Sequence, residues 1–211
     1  MAFIAVLRFI AHFLNVICGC IVAAAVGVTV QNMTFAGNRF CILFSDWKHA
    51  GTLDDIMGSI TYCDFLIAAG IICLAPAAVF AILTIVSICR KDTTASGWSL
   101  IELIVAAMEV VIMLAAGIVA TAGLKATCDS VSPLSCSTLA DKVQEAFDSG
   151  SAGNFYNNLL ATQAGAWIST VSWAVVAIIN FFRFRRYSRS EDVAKQSLVA
   201  SANLKNSPSE N

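Results

Sequence analysis

Charge is what this chain has least of. Of its 211 residues only 13% are Asp, Glu, Lys or Arg, whereas 58% are hydrophobic, and the mean hydropathy is +0.76. A water-exposed body of this size carries about a quarter charged residues, so the composition excludes a soluble enzyme and describes a membrane protein. With 13 basic and 14 acidic side chains the formal net charge is -1, which gives no cationic field for nucleic acid. Histidine is nearly absent, with only His12 and His49 present. The chain also lacks a phosphate-cradling GxxxxGK, a metal-binding HExxH and a nucleophile-bearing GxSxG. No catalytic set, cofactor, metal or small-molecule substrate is therefore expected. His49, with Asp46, Asp54 and Asp55, reads as loop surface.

What is present is hydrocarbon in long runs. Stretches free of acidic and basic side chains extend from Phe9 to Asn38, Phe65 to Cys89, Val110 to Leu124 and Ser149 to Phe182, the third lengthened backwards through Ile101 and Trp98. A helix crosses the roughly 30 Å hydrocarbon core with about 20 residues. This places spans at 5–29, 65–88, 99–123 and 162–182, an all-α membrane protein built as a four-transmembrane-helix bundle. The first run is too long for a signal-peptide core and has no basic cluster before it. With both ends on one side, that side holds Arg8, Arg90, Lys91, Arg183, Arg185, Arg186, Arg189, Lys195 and Lys205. The other side holds only Arg39, Lys48, Lys125 and Lys142. The positive-inside rule then makes both termini cytoplasmic, in the plasma membrane or endomembrane system. Trp98 and Trp167 suit interface anchors or interhelical packing.

That topology sorts the eight cysteines. Cys18, Cys20, Cys73 and Cys89 fall in spans or at their inner edge, where a thiol acts as a small apolar group. Cys41, Cys63, Cys128 and Cys136 fall outside, so two disulfide-containing outer loops are expected. The preferred pairs are Cys41 with Cys63 and Cys128 with Cys136, each closing one loop and contributing about 3 kcal/mol; cross-loop pairing is the alternative. The alternation from Arg39 to Phe44 reads as a short strand, and Ser137 to Phe147 as a short helix. Asn32-Met33-Thr34 is a formal glycosylation acceptor, close to the end of the first span.

Inside the spans, polar residues are costly and therefore informative. Glu109 lies near the middle of the third span, with His12 at almost the same depth on the first and Asn15 less than a turn beyond. Arg8 and Glu102 are both shallow. The matched depths bring spans one and three together, Arg8 facing Glu102 and His12 or Asn15 facing Glu109, although a regular bundle sets these spans on a diagonal. Gly19, Ala23 and Gly27 form a small-xxx-small stripe on span one, and Ala69, Cys73, Ala77 and Ala81 a comparable one on span two, which Pro76 is expected to bend. Past the last span, Arg185-Arg186-Tyr187-Ser188 resembles a basophilic kinase acceptor at Ser188, within a positive-inside cluster that meets membrane lipid. The polar residues 191–211 read as an unstructured cytoplasmic tail.

The order of several motifs supports a family comparison. FAGNRFCILF follows span one, a second outer cysteine precedes span two, TCDS and SC follow span three, and FYNNLLATQAGAWIS enters span four. The pattern, carried by Gly37, Arg39, Cys41, Cys63, Cys128, Asp129, Cys136, Phe155, Tyr156, Gln163 and Trp167, resembles the transmembrane protein 179 family of four-span proteins over about residues 5–190. The resemblance implies a multi-pass membrane protein and no catalytic residue. Likeness to claudins is architectural, because the first loop lacks their GLW and close cysteine pair; the CCG of tetraspanins is absent too. The expected class is a non-enzymatic accessory subunit acting on another integral membrane protein or on a second copy of itself. The competing class is a small transporter or proton-conducting protein using Glu109.

Overall fold

In the computed structural model, residues 2–32, 34–35, 38–46, 58–90, 96–130 and 155–205 are described. They form helix α1 (Ala2–Asn32), strands β1 (Thr34–Phe35) and β2 (Asn38–Arg39), and helices α2 (Ile60–Arg90), α3 (Ser96–Ser130) and α4 (Phe155–Lys205). Four segments are long and apolar enough to cross a membrane, Phe3–Gln31, Ile60–Cys89, Ser99–Ser130 and Phe155–Ser190. Hydrocarbon offers the backbone no hydrogen bonds, so each run closes its own as a helix. The helices outrun the expected spans because helix formation does not stop where the hydrocarbon does. α2 starts before Asp64, α3 continues past Lys125, and α4 remains helical through the polar segment to Lys205, where the composition had pointed to an unstructured tail.

Among these helices α1 borders α2 and α4, α3 borders α4, and the α2–α3 contact is the slightest of the four. Helices one and three thus stand on a diagonal. Large apolar side chains point outward, Val111 at 66% exposure and Val171 at 64%, as expected where the surroundings are lipid. Small residues point inward: Ala69, Cys73 and Ala77 of α2 are all buried, as the stripe on that span predicts. Where α1 meets α2, a Cβ placed on Gly70 comes within 2.7 Å of the Ala23 nitrogen, and one on Gly19 within 2.9 Å of the Gly70 carbonyl. Backbones can approach this closely only without side chains between them. Gly27 has nothing within 4 Å of such a Cβ and lies outside this contact, a correction to the three-residue stripe. Pro76 sits inside α2 with helix on both sides.

At the end of the bundle opposite the termini, the first loop folds back onto the helices. The expected strand at 39–44 is instead a hairpin placed earlier, β1 pairing antiparallel with β2 through Thr34 opposite Arg39 and Phe35 opposite Asn38. Beyond it Cys41 makes a single bridge to Gly58. Ile42 and Leu43 are fully buried, and they seat the loop on α3. A Cβ on Gly123 would lie 2.8 Å from Leu43 Cδ2, Phe44 N–H donates to the Gly123 carbonyl at 3.4 Å, and Thr127 Oγ1 donates to the Ile42 carbonyl at 2.7 Å. Phe44 takes φ 62° to make this turn, a conformation that side-chain-bearing residues adopt only when the surroundings enforce it.

The expectation of two disulfide-containing loops is corrected here. Among the described residues the one disulfide is Cys41–Cys63, with Cα atoms 5.9 Å apart. Cys128 is not a free thiol, but it sits in the last turn of α3 and not in a loop, because the helix continues to Ser130; Cys136 lies outside the described residues. The short helix at 137–147, His49, Asp54 and Asp55 also lie outside them. Cys41–Cys63 pins the loop to the first turn of α2. Replacing both cysteines with serine is expected to lower stability by about 2–4 kcal/mol, read as a drop in thermal midpoint in detergent that reductant reproduces in the native chain. An unchanged midpoint would contradict a structural role.

Candidate functional site

The polar side chains of the spans meet inside the bundle near the end that carries the termini. α1 brings Arg8 and His12, four residues apart and so one above the other on a single face. α3 brings Glu102 from across the diagonal, where only side chains, not backbones, can meet. Arg8 Nε donates to Glu102 Oε1 at 3.2 Å, and its Nη2 donates to Oε2. His12 Nε2–H donates to Glu102 Oε1 at 2.9 Å. One carboxylate thus receives a guanidinium fork and an imidazole, with His12 fully buried and Glu102 1% exposed. The imidazole is held by apolar rings as well, stacked on Phe80 at 5.6 Å and edge-on to Trp173 at 5.5 Å.

Arg8 therefore faces Glu102 as its depth predicts, whereas His12 and Asn15 do not take Glu109. Asn15 Oδ1 accepts from Ser169 Oγ at 3.0 Å. The Cys73 thiol lies 3.3 Å from Ser169 Oγ and donates toward the Asn15 carbonyl at 3.8 Å. Trp173 Nε1 donates to Cys73 Sγ at 3.2 Å, and Ser172 Oγ donates to the Ala11 carbonyl at 3.1 Å. At the terminal edge Ser99 Oγ donates to Asn180 Oδ1 at 3.4 Å. Glu109 is buried, yet its Oε2 has no hydrogen-bond partner among the described residues. His12 Nδ1 and Asn15 Nδ2 are likewise unpartnered.

The contribution of α4 escaped the sequence reading, although a signal was there. Ser169, Trp173, Val176 and Asn180 are all fully buried, and their steps of four, three and four residues trace one helical seam. Charge drew attention to α1 and α3, while serine and asparagine on α4 were passed over. Trp167, half exposed, packs its ring against Gly117 at 3.2 Å from a Cβ placed there and donates to Thr121 Oγ1 at 3.2 Å, the interhelical alternative for this residue. Asn32 ends α1, and its side chain lies outside those described. Ser188 is exposed on α4, three residues after Arg185.

Chemically the arrangement is a set of ties. Arg8, His12 and Glu102 join α1 to α3; Asn15, Cys73 and Ser169 join α1, α2 and α4. Among the described residues no group of three His, Cys, Asp or Glu side chains is placed to hold a metal ion. A family model described as the transmembrane protein 179/179B claudin domain matches residues 4–206, which takes in all four helices and the tied interior. No solved structure matches the chain. By that match the chain belongs to the transmembrane protein 179/179B claudin-domain family, and it is a non-enzymatic multi-pass membrane protein.

Proposed function

We propose that this protein is an accessory subunit that binds another integral membrane protein, or a second copy of itself, and supports its assembly, trafficking or activity. Its termini lie in the cytoplasm of a plasma-membrane or endomembrane setting, the orientation that the nine-to-four division of basic residues favours. The observation that carries the reading is how the interior is filled. From mid-bundle toward the loop end the filling is mainly apolar, with Val22, Val26, Leu66, Met113, Ala116, Ala120 and Leu159 at most 1% exposed, and the buried hydroxyls of Thr29, Thr127 and Thr162 among them are donated to backbone carbonyls. Conduction needs polar positions through the full thickness, and this packed apolar section opposes a route through Glu109. What the molecule offers instead is a fixed surface. At the loop end Phe44 and Tyr62 stand 4.6 Å apart between ring centroids, both partly exposed, on a segment held by Cys41–Cys63. A preformed aromatic contact loses little conformational freedom when a partner covers it.

The test is crosslinking in native membranes, affinity purification and mass spectrometry, with Tyr62→Ala as the control. A stoichiometric integral-membrane partner, or a crosslinked homodimer, is expected, and its yield should fall several-fold in the variant. Absence of any such partner, together with solute flux in vesicles reconstituted with the protein alone, would overturn the proposal.

A further inference from the structure

A groove of about 490 Å³ runs between α1 and α4 on the outside of the bundle. Leu7, Ile10 and Leu14 form one wall, and Ile168, Val171 and Val175 the other. We propose that this groove holds an acyl chain of an anionic phospholipid whose headgroup is bound by Arg183 and Arg186.

The walls select hydrocarbon. Ser172 is the polar residue among them, and its proton is already donated to the Ala11 carbonyl, so a polar occupant finds no free hydroxyl donor there and little to exchange for the hydrogen bonds it leaves in water. The kind of wall also distinguishes a lipid chain from a partner helix. Helices in hydrocarbon pack through glycine, alanine and serine surfaces that let backbones approach, as Gly19 and Gly70 do here. This groove is walled by branched aliphatic side chains that hold another backbone away and leave a channel between them.

The charges at its end select the headgroup. Along α4, steps of seven and eleven residues from Val175 bring Phe182 and Arg186 to the same face, so the line of the groove ends in a guanidinium about 16 Å from Val175. Arg183, half-buried, is within electrostatic reach of both Arg8 and Glu102, which places it on the α1 side of that line. Arg8 itself is neutralised by Glu102. Among the described residues Arg183, Arg185 and Arg186 have no carboxylate at ion-pair distance, and Arg185 lies over the Phe181 ring at 5.2 Å. Arginines with no ion-pair partner among the described residues, placed where a helix leaves the hydrocarbon, match the phosphate of a lipid whose chain reaches back along the groove. The inference does not depend on the accessory role, because a lipid can be held there whether or not a protein partner binds the loop end.

The experiment adds phosphatidylserine or phosphatidylcholine of identical chains to delipidated full-length protein and counts bound lipid by native mass spectrometry. One phosphatidylserine per chain is expected, retained in preference to phosphatidylcholine. Arg183→Gln and Arg186→Gln should each weaken phosphatidylserine binding about fivefold without changing that of phosphatidylcholine. A second measurement locates the chain without filling the groove, since Trp167 also lines it. Sparse phosphatidylserine brominated on its acyl chain, in a phosphatidylcholine background, should quench tryptophan fluorescence more than brominated phosphatidylcholine does, and Trp167→Phe should remove the difference. Equal binding of the two lipids, indifference to both arginine substitutions, equal quenching, displacement by glycerophosphoserine without chains, or a protein helix found crosslinked in the groove would each overturn the proposal.

Discussion

Replacing Glu102 with leucine is expected to cost about 3–5 kcal/mol of stability, the range observed when one member of a buried ion pair is removed. The loss is large because Glu102 is shared. Without it Arg8 keeps a charge in a place only 16% exposed, and His12 Nε2, fully enclosed, loses the acceptor it reaches at 2.9 Å. The Arg8→Leu, Glu102→Leu double variant should therefore be more stable than Glu102→Leu alone, and the cycle should show coupling beyond the sum of the single effects. Glu109→Leu is the informative contrast. Its buried Oε2 has no partner among the described residues, so its removal breaks no hydrogen bond or ion pair there and is expected to be close to neutral. Combined with a change at His12, it should act additively. Reversible unfolding in mixed micelles measures the four single and two double variants, and a Glu102→Leu loss no greater than that of Glu109→Leu would refute the arrangement.

Gly70→Leu is expected to match or exceed that effect by forcing apart two helices. Even a methyl group at Gly70 meets backbone atoms, the Ala23 nitrogen at 2.7 Å and the Gly19 carbonyl oxygen at 2.9 Å, and backbone cannot turn aside as a flexible side chain can. Gly70→Ala should cost about 1–3 kcal/mol, the usual range for overpacking, and leucine more. Gly27→Ala separates this contact from any general effect of glycine. With open space at its Cβ position, it should gain about 0.5–1 kcal/mol from the better helix propensity of alanine. Thermal midpoints of the three proteins in one detergent provide the comparison, and a Gly70→Leu midpoint equal to the parent's would rule out the close approach.

The spans were legible because their cause is solvent: a run of apolar residues long enough to cross hydrocarbon leaves little choice of structure. Depth along a helix was equally readable, and it matched Arg8 to Glu102. Partner choice was not, because depth says nothing of angle. His12 is about 6 Å along the axis from Arg8, whereas Glu109 is about 10 Å from Glu102, and which carboxylate His12 reaches is settled by how the diagonal helices are turned. The contact of Asn15 with Ser169 depends on α4, whose polar residues in the bundle interior, such as Ser169, Ser172 and Asn180, carry no charge to attract notice. Cys41 and Cys63 could be paired because one loop joins them. Cys128 was read as a loop residue, but α3 carries helix through it, and the hairpin strands at 34–35 and 38–39 lie ahead of the apolar alternation that had marked a strand.

The slight contact between α2 and α3 has a mechanical consequence. At the loop end those two helices are linked through one short piece of chain, disulfide-bonded to α2 at Cys63 and seated on α3 through Leu43 and Thr127. At the opposite end Glu102 holds α3 to α1 and not to α2. The ring of helices is therefore tied at both rims of this pair, by the disulfide-bonded segment at one and by the chain from Arg90 to Ser96 at the other, with a weak seam between them. Any lateral opening of the bundle would begin along that seam between its two tied ends, and reducing Cys41–Cys63 would release the loop end while the Arg90–Ser96 connection still held the other.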